Sequence, residues 1–83
     1  FLPTGYEITK VDVYTNTNLS FSLSYGLFST DAVTSIQTGG TTNTTMTLTT
    51  AYAVDEREYY IIKVETDSIS NEIWGGLITL DRS

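Results

Sequence analysis

Leu19-Ser20-Phe21-Ser22-Leu23-Ser24-Tyr25 alternates large apolar residues with serine, and this alternation decides the fold. A strand sends successive side chains to opposite faces, so the run has one apolar face and one face of small hydroxyls. A helix would scatter Leu19, Phe21, Leu23 and Tyr25 around its cylinder instead. The stretch is a half-buried β-strand that continues to the neighbourhood of Leu27.

Similar patterning extends in both directions. Tyr6 to Thr15 reads as a strand whose alternation changes phase: Tyr6 and Ile8 share one face, Val11 and Val13 the other. A bulge near Thr9-Lys10 would return all four to the core side, because one extra residue flips the register. Gly5 before this strand and Asn16-Thr17-Asn18 after it are turn chemistry. Asp31 to Ile36 is a weaker third strand, entered through Phe28-Ser29-Thr30. Gly39-Gly40, with threonines around them and Asn43 beyond, read as a loop, since glycine tolerates the positive φ of tight turns.

Thr44 to Thr50 alternates again, with Met46 and Leu48 opposed to Thr45, Thr47 and Thr49. Ala51 to Arg57 connects it to Glu58–Thr66, the strongest β segment, whose Tyr60, Ile62 and Val64 face inward. Asp67 to Asn71 is a turn, and Ile73 to Leu80 is the last strand. Ala51 to Lys63 also offers Tyr52, Tyr59 and Tyr60 at helical spacing. The continuous Tyr59-Tyr60-Ile61-Ile62 run and Val64 favour a strand there, with room for a single helical turn within Ala53–Glu58.

Short strands at this spacing predict an all-β chain, a small β-sandwich or jelly-roll-like domain of about six to eight antiparallel strands. Residues 1–83 are expected to form one domain. Opening on Phe1 rather than Met suggests a processed product or a piece of a longer chain. The expected core is Leu19, Phe21, Leu23, Met46, Leu48, Ile62, Val64 and Ile78. Ser20, Ser22, Thr45, Thr47 and Thr49 are expected on wet faces.

A chain of 83 residues has a thin core. Domains of this size usually add disulfides, a metal or subunit partners. With no Cys and no His, disulfides and the usual zinc and haem ligands are excluded, and no metal or cofactor is expected. Association with other protein is the support that remains. Ten acidic residues against four basic, a net charge of −6, argue against nucleic acid and anionic membrane as partners. No run approaches the ~20 apolar residues of a membrane-spanning helix.

No residue set supports catalysis. Asp55, Glu56 and Glu58 cluster, but a glycosidase pair needs two carboxylates facing each other across a cleft. A calcium loop needs alternating oxygen ligands, which Arg57 interrupts. A solvated turn accounts for the cluster better. No serine has a histidine partner, and neither Lys10 nor Lys63 offers an obvious Ser-Lys arrangement. Gly39-Gly40 and Gly75-Gly76 lack the phosphate-binding patterns. The chain is therefore expected not to be an enzyme.

The aromatic residues are stronger candidates. Trp74 beside Gly75-Gly76, with Tyr52 and Tyr59, could form a platform on which sugar rings stack. The competing and favoured expectation is that Trp74 caps the core, with Gly75-Gly76 as a bulge that lets it turn inward. Asn18-Leu19-Ser20 and Asn43-Thr44-Thr45 match the glycosylation pattern, as chance allows in a chain this rich in Asn, Ser and Thr. Phe1 and Leu2 at the terminus and Phe28 in a loop are candidate interface residues.

The order Gly5-Tyr6-x-Ile8, Val11-x-Val13, Phe21-x-Leu23-x-Tyr25-Gly26, Thr38-Gly39-Gly40 and Gly76-Leu77-Ile78-Thr79-Leu80 resembles small β domains of bacteriophage virions. It looks like capsid-decoration, head-fibre and tail-fibre modules. The resemblance implies a non-enzymatic module at the virion surface, often trimeric, that docks on a larger protein assembly. No individual binding residue carries over. The alternative is a carbohydrate-binding or adhesin domain, extracellular or on a cell surface.

Overall fold

The structure, a computed structural model, describes residues 3–30 and 32–82. Six strands form: β1 (Tyr6–Thr15), β2 (Ser20–Leu27), β3 (Val33–Thr41), β4 (Met46–Ala53), β5 (Glu58–Glu65) and β6 (Ile73–Arg82). They make two three-stranded antiparallel sheets, ordered β4-β1-β6 and β3-β2-β5. The chain is a small β-sandwich, with no helix among the described residues. The single helical turn allowed for within Ala53–Glu58 is a non-helical turn.

The central strands β1 and β2 supply the middle of the core. Phe21 and Leu23 are buried, and on the opposite face Ser20 is exposed and Ser22 half-buried. The pairing of β1 slips at Thr9 against both of its neighbours, so the predicted bulge is present. Its effect is the predicted one: Ile8, Val11 and Val13 are all buried, and Tyr6 is half-buried. Met46 and Leu48 join them from β4, as does Val54 from the following loop.

Three expectations about packing need correction. Ile62, Val64 and Ile78 are only half-buried, because β5 and β6 are edge strands with nothing packed beyond them among the described residues. Gly39-Gly40 lie inside β3, which runs later than expected, and the turn to β4 follows at residues 42–45. Gly40 is needed for close approach rather than for turning: a Cβ there would meet the buried Phe21 ring at 2.6 Å. Gly39, at φ +87°, sits where the β2–β3 register slips. β6 also extends past Leu80 to Arg82.

The end of the sandwich beyond β1 is tied by hydroxyls rather than apolar groups. Thr15 and Thr42 are both buried, and the Thr15 hydroxyl donates to that of Thr42 at 2.7 Å. The Thr42 oxygen also accepts the Leu19 N–H at 2.7 Å. Next to it Asn43, at φ +65°, accepts the Thr15 N–H through its side chain at 3.1 Å. These bonds fix the β3–β4 turn against the loop joining β1 to β2.

Candidate functional site

The two flanks of the sandwich differ. On one, β3 and β4 are stitched together by the Gln37 side chain, which donates to the Thr47 carbonyl at 3.2 Å and accepts the Thr49 N–H at 2.9 Å. That amide does for the edge of β4 what a neighbouring strand would do. On the other flank β5 and β6 face each other without such a stitch among the described residues. Between them opens a cavity of about 300 Å³ lined by Val13, Ile62, Val64, Ile73, Gly75 and Gly76.

The opening follows from the sequence of β6. Gly76 is the partner of Val13 and so takes an inward position. A Cβ there would lie 3.0 Å from the Asp12 carbonyl oxygen and 3.9 Å from Ile62, so glycine lets β6 lie close against β1 and puts no side chain of its own between the sheets. Along the same edge Ile73, Trp74 and Leu77 are exposed, Trp74 at 67% and Leu77 at 57%.

Trp74 does not cap the core. The β1–β6 pairing slips between Tyr14–Gly75 and Thr15–Ile73, which makes Trp74 itself the extra residue. The bulge is therefore one position earlier than expected and turns the indole outward. Nor does the structure assemble Trp74, Tyr52 and Tyr59 into a platform. Tyr52 lies on β4 opposite Ile8, while Trp74 lies on β6 near Tyr14 and Thr15, at the other edge of the sheet. Along β1 alone that separation is roughly 20 Å at ~3.3 Å per residue.

Tyr59 belongs to a third place, the serine face of the other sheet. Its ring covers Gly26, where a Cβ would meet it at 2.3 Å, and it packs on Phe28 with centroids 5.4 Å apart. Phe28 is itself 63% exposed. Val33, the strand partner of Gly26, is exposed beside them. Of the other candidate interface residues, Phe1 and Leu2 lie outside the described residues.

Glu58 also departs from expectation. It is 7% exposed, not part of a solvated turn. Tyr52 donates to its carboxylate at 2.9 Å and Tyr60 at 3.0 Å, while the Tyr60 oxygen accepts the Asp55 N–H. Tyr52 stacks on Tyr25 and meets Tyr60 edge-on, so the cluster is enclosed by rings. Burial, then the bond to Glu58, raises the Tyr52 hydroxyl well above the ordinary tyrosine value, and burial raises Tyr60. Asp55 is different: hydrogen bonds from the Arg57 side chain and backbone hold it down to about 2 at the surface. An exposed pair of this kind adds little to stability.

The raised tyrosines make a prediction. Where the folded value exceeds the unfolded one of about 10, the native state holds its protons more tightly. Their contribution is complete below that unfolded value and is lost as pH rises through the folded one. Carbon-detected NMR titration should show Tyr52 and Tyr60 ionising above free tyrosine. Ordinary values for both would remove the bond to the carboxylate.

Among the described residues no group of three or more acidic, His or Cys side chains could hold a metal. The Glu58 carboxylate accepts from Tyr52 and Tyr60. What the molecule does offer is apolar surface, concentrated along the β5/β6 flank. Comparison with protein-family models, curated proteins and solved structures finds no match for this chain.

Proposed function

We propose that this chain is a non-enzymatic structural and interaction module that works within a larger protein assembly. The observation that carries this reading is the unclosed flank. A domain of 83 residues with no cysteine leaves its inter-sheet gap open and exposes Ile73, Trp74 and Leu77 beside it. Exposed apolar residues gathered along one edge of a small domain mark a protein contact. The resemblance to virion modules suggests the setting, an accessory protein of capsid-decoration or fibre type on the particle surface.

One observation favours a second reading, carbohydrate binding: the open face of Trp74. The two readings part on a glycan array. The assembly reading expects no reproducible sugar binding. Sugar binding abolished by Trp74→Ala, with the circular dichroism spectrum unchanged, would replace it. The virion setting has its own test, immunogold labelling of purified particles from the source with antibody to the folded domain. Surface label is expected, and unlabelled particles would overturn that setting.

A further inference from the structure

Natural sheets protect their edges with charge, proline, a bulge or a covering segment. Three of the four edge strands here have such protection. Gln37 joins β3 to β4, and β5 carries Lys63 and Glu65, both exposed. Strand β6 differs. From Ile73 to Leu80 it has eight residues without a charge or a proline, with Ile73, Trp74 and Leu77 exposed. The bulge at Trp74 disturbs only its beginning: Gly75 to Thr79 run in regular register with β1, which slips again only opposite Thr9, before Leu80.

We propose that the free edge of β6 pairs antiparallel with β6 of a second copy, about a two-fold axis near Leu77. The proposal rests on the assembly reading and names one partner. Charge placement selects the occupant and its direction. The neutral run is bracketed by Glu72 at one end and Arg82 at the other, and neither makes an ion pair among the described residues. Asp81, next to Arg82, is already turned toward β1, where its carboxylate accepts the Thr9 hydroxyl at 2.6 Å.

Antiparallel pairing brings Arg82 of each copy to the Glu72 end of the other, twice. Parallel pairing would set Glu72 beside Glu72 in a chain already at −6. A two-fold perpendicular to the sheet keeps outward residues outward, so Leu77 meets its own counterpart on the outer face. The two three-stranded sheets containing β6 then join into one sheet of six strands, and backbone bonds supply the attachment. The Leu77 pair supplies the central apolar contact, and the same two-fold sets the exposed Trp74 of each copy opposite Leu80 of the other.

The chain has no cysteine, so a single introduced thiol reports on itself. Leu77→Cys should oxidise to a covalent dimer, because directly opposed residues lie within disulfide reach. Val33→Cys, exposed on the other sheet, should not. In sedimentation the unmodified chain is expected at twice 9.2 kDa, and Leu77→Lys at 9.2 kDa with an unchanged circular dichroism spectrum. A monomer at the highest soluble concentration overturns the proposal, as does a trimer without cross-linking at residue 77 or a dimer that Leu77→Lys leaves intact. If virions are labelled while no such pair forms, self-pairing falls and the assembly reading stands.

Discussion

Leu23→Ala should cost this domain roughly 2–5 kcal/mol, the range for emptying a fully buried leucine site. Leu23 is 0% exposed at the middle of β2, the central strand of its sheet. Its cross-strand partner on β5 is Ile62, and the buried Val11 and Met46 belong to the same core. Small domains have only about 5–15 kcal/mol in total, so the loss is a large part of the whole.

Urea unfolding measures it, with Ser20→Ala as the exposed control expected within about 0.5 kcal/mol of the parent. Ile62→Ala adds a finer comparison. Ile62 occupies the same cross-strand row but borders the open flank, so its truncation should cost less than that of Leu23. A near-neutral Leu23→Ala would mean that the strand faces the other way. Equal costs at the two positions would mean that the β5/β6 flank is closed in solution.

The phase of β2 was legible because alternation of serine with large apolar residues leaves a strand one way to face. The bulge at Thr9 was legible for the same reason: two apolar pairs of opposite phase in one strand require an extra residue between them. Glycine was harder to read. Gly39-Gly40 look like a turn, yet Gly40 answers to the Phe21 ring lying over it, a long-range contact that no local pattern encodes. The turn itself falls on Thr42-Asn43, where the asparagine takes the positive φ.

The candidate site was less legible, and for identifiable reasons. Large aromatics are usually buried, which argued for Trp74 in the core. That tendency fails where an edge strand bulges, and edge position depends on sheet order. Tyr52, Tyr59 and Trp74 look like a set in the sequence, but β4, β5 and β6 carry them to three different places. Glu58 did carry a readable signal. Tyr60, Ile62 and Val64 face inward, and extending the same alternation back two residues puts Glu58 inward as well. Grouping it with Asp55 and Glu56 as a charged turn obscured that. The open flank had its trace in Gly76, an inward position of β6 with no side chain to fill it.

Thr42→Val is the second large effect to expect, and it probes a feature with no sequence signature among so many threonines. The substitution nearly preserves shape but replaces a hydroxyl that is fully buried. That oxygen accepts the Leu19 N–H and the Thr15 hydroxyl, and its own proton reaches the Thr17 carbonyl at 3.2 Å. Thr15 can turn to the Thr17 carbonyl, which already lies within reach of its hydroxyl. The Leu19 amide cannot turn, because its direction is set by the start of β2. A buried donor left without a partner costs about 1–3 kcal/mol, more than an average hydrogen bond contributes when both partners are present. The loss should appear in urea unfolding with an unchanged slope, since the surface exposed on unfolding stays the same. Thr44→Val, in the exposed part of the same turn, should be neutral within about 0.5 kcal/mol. Hydrogen exchange locates the effect: in Thr42→Val the Leu19 amide should lose protection ahead of the Leu23 amide. If Thr42→Val is as stable as the parent, with Leu19 still protected, the hydroxyl network does not hold the two loops together, and the backbone bonds between Leu19 and Thr42 and between Val13 and Asn43 carry that end of the sandwich alone.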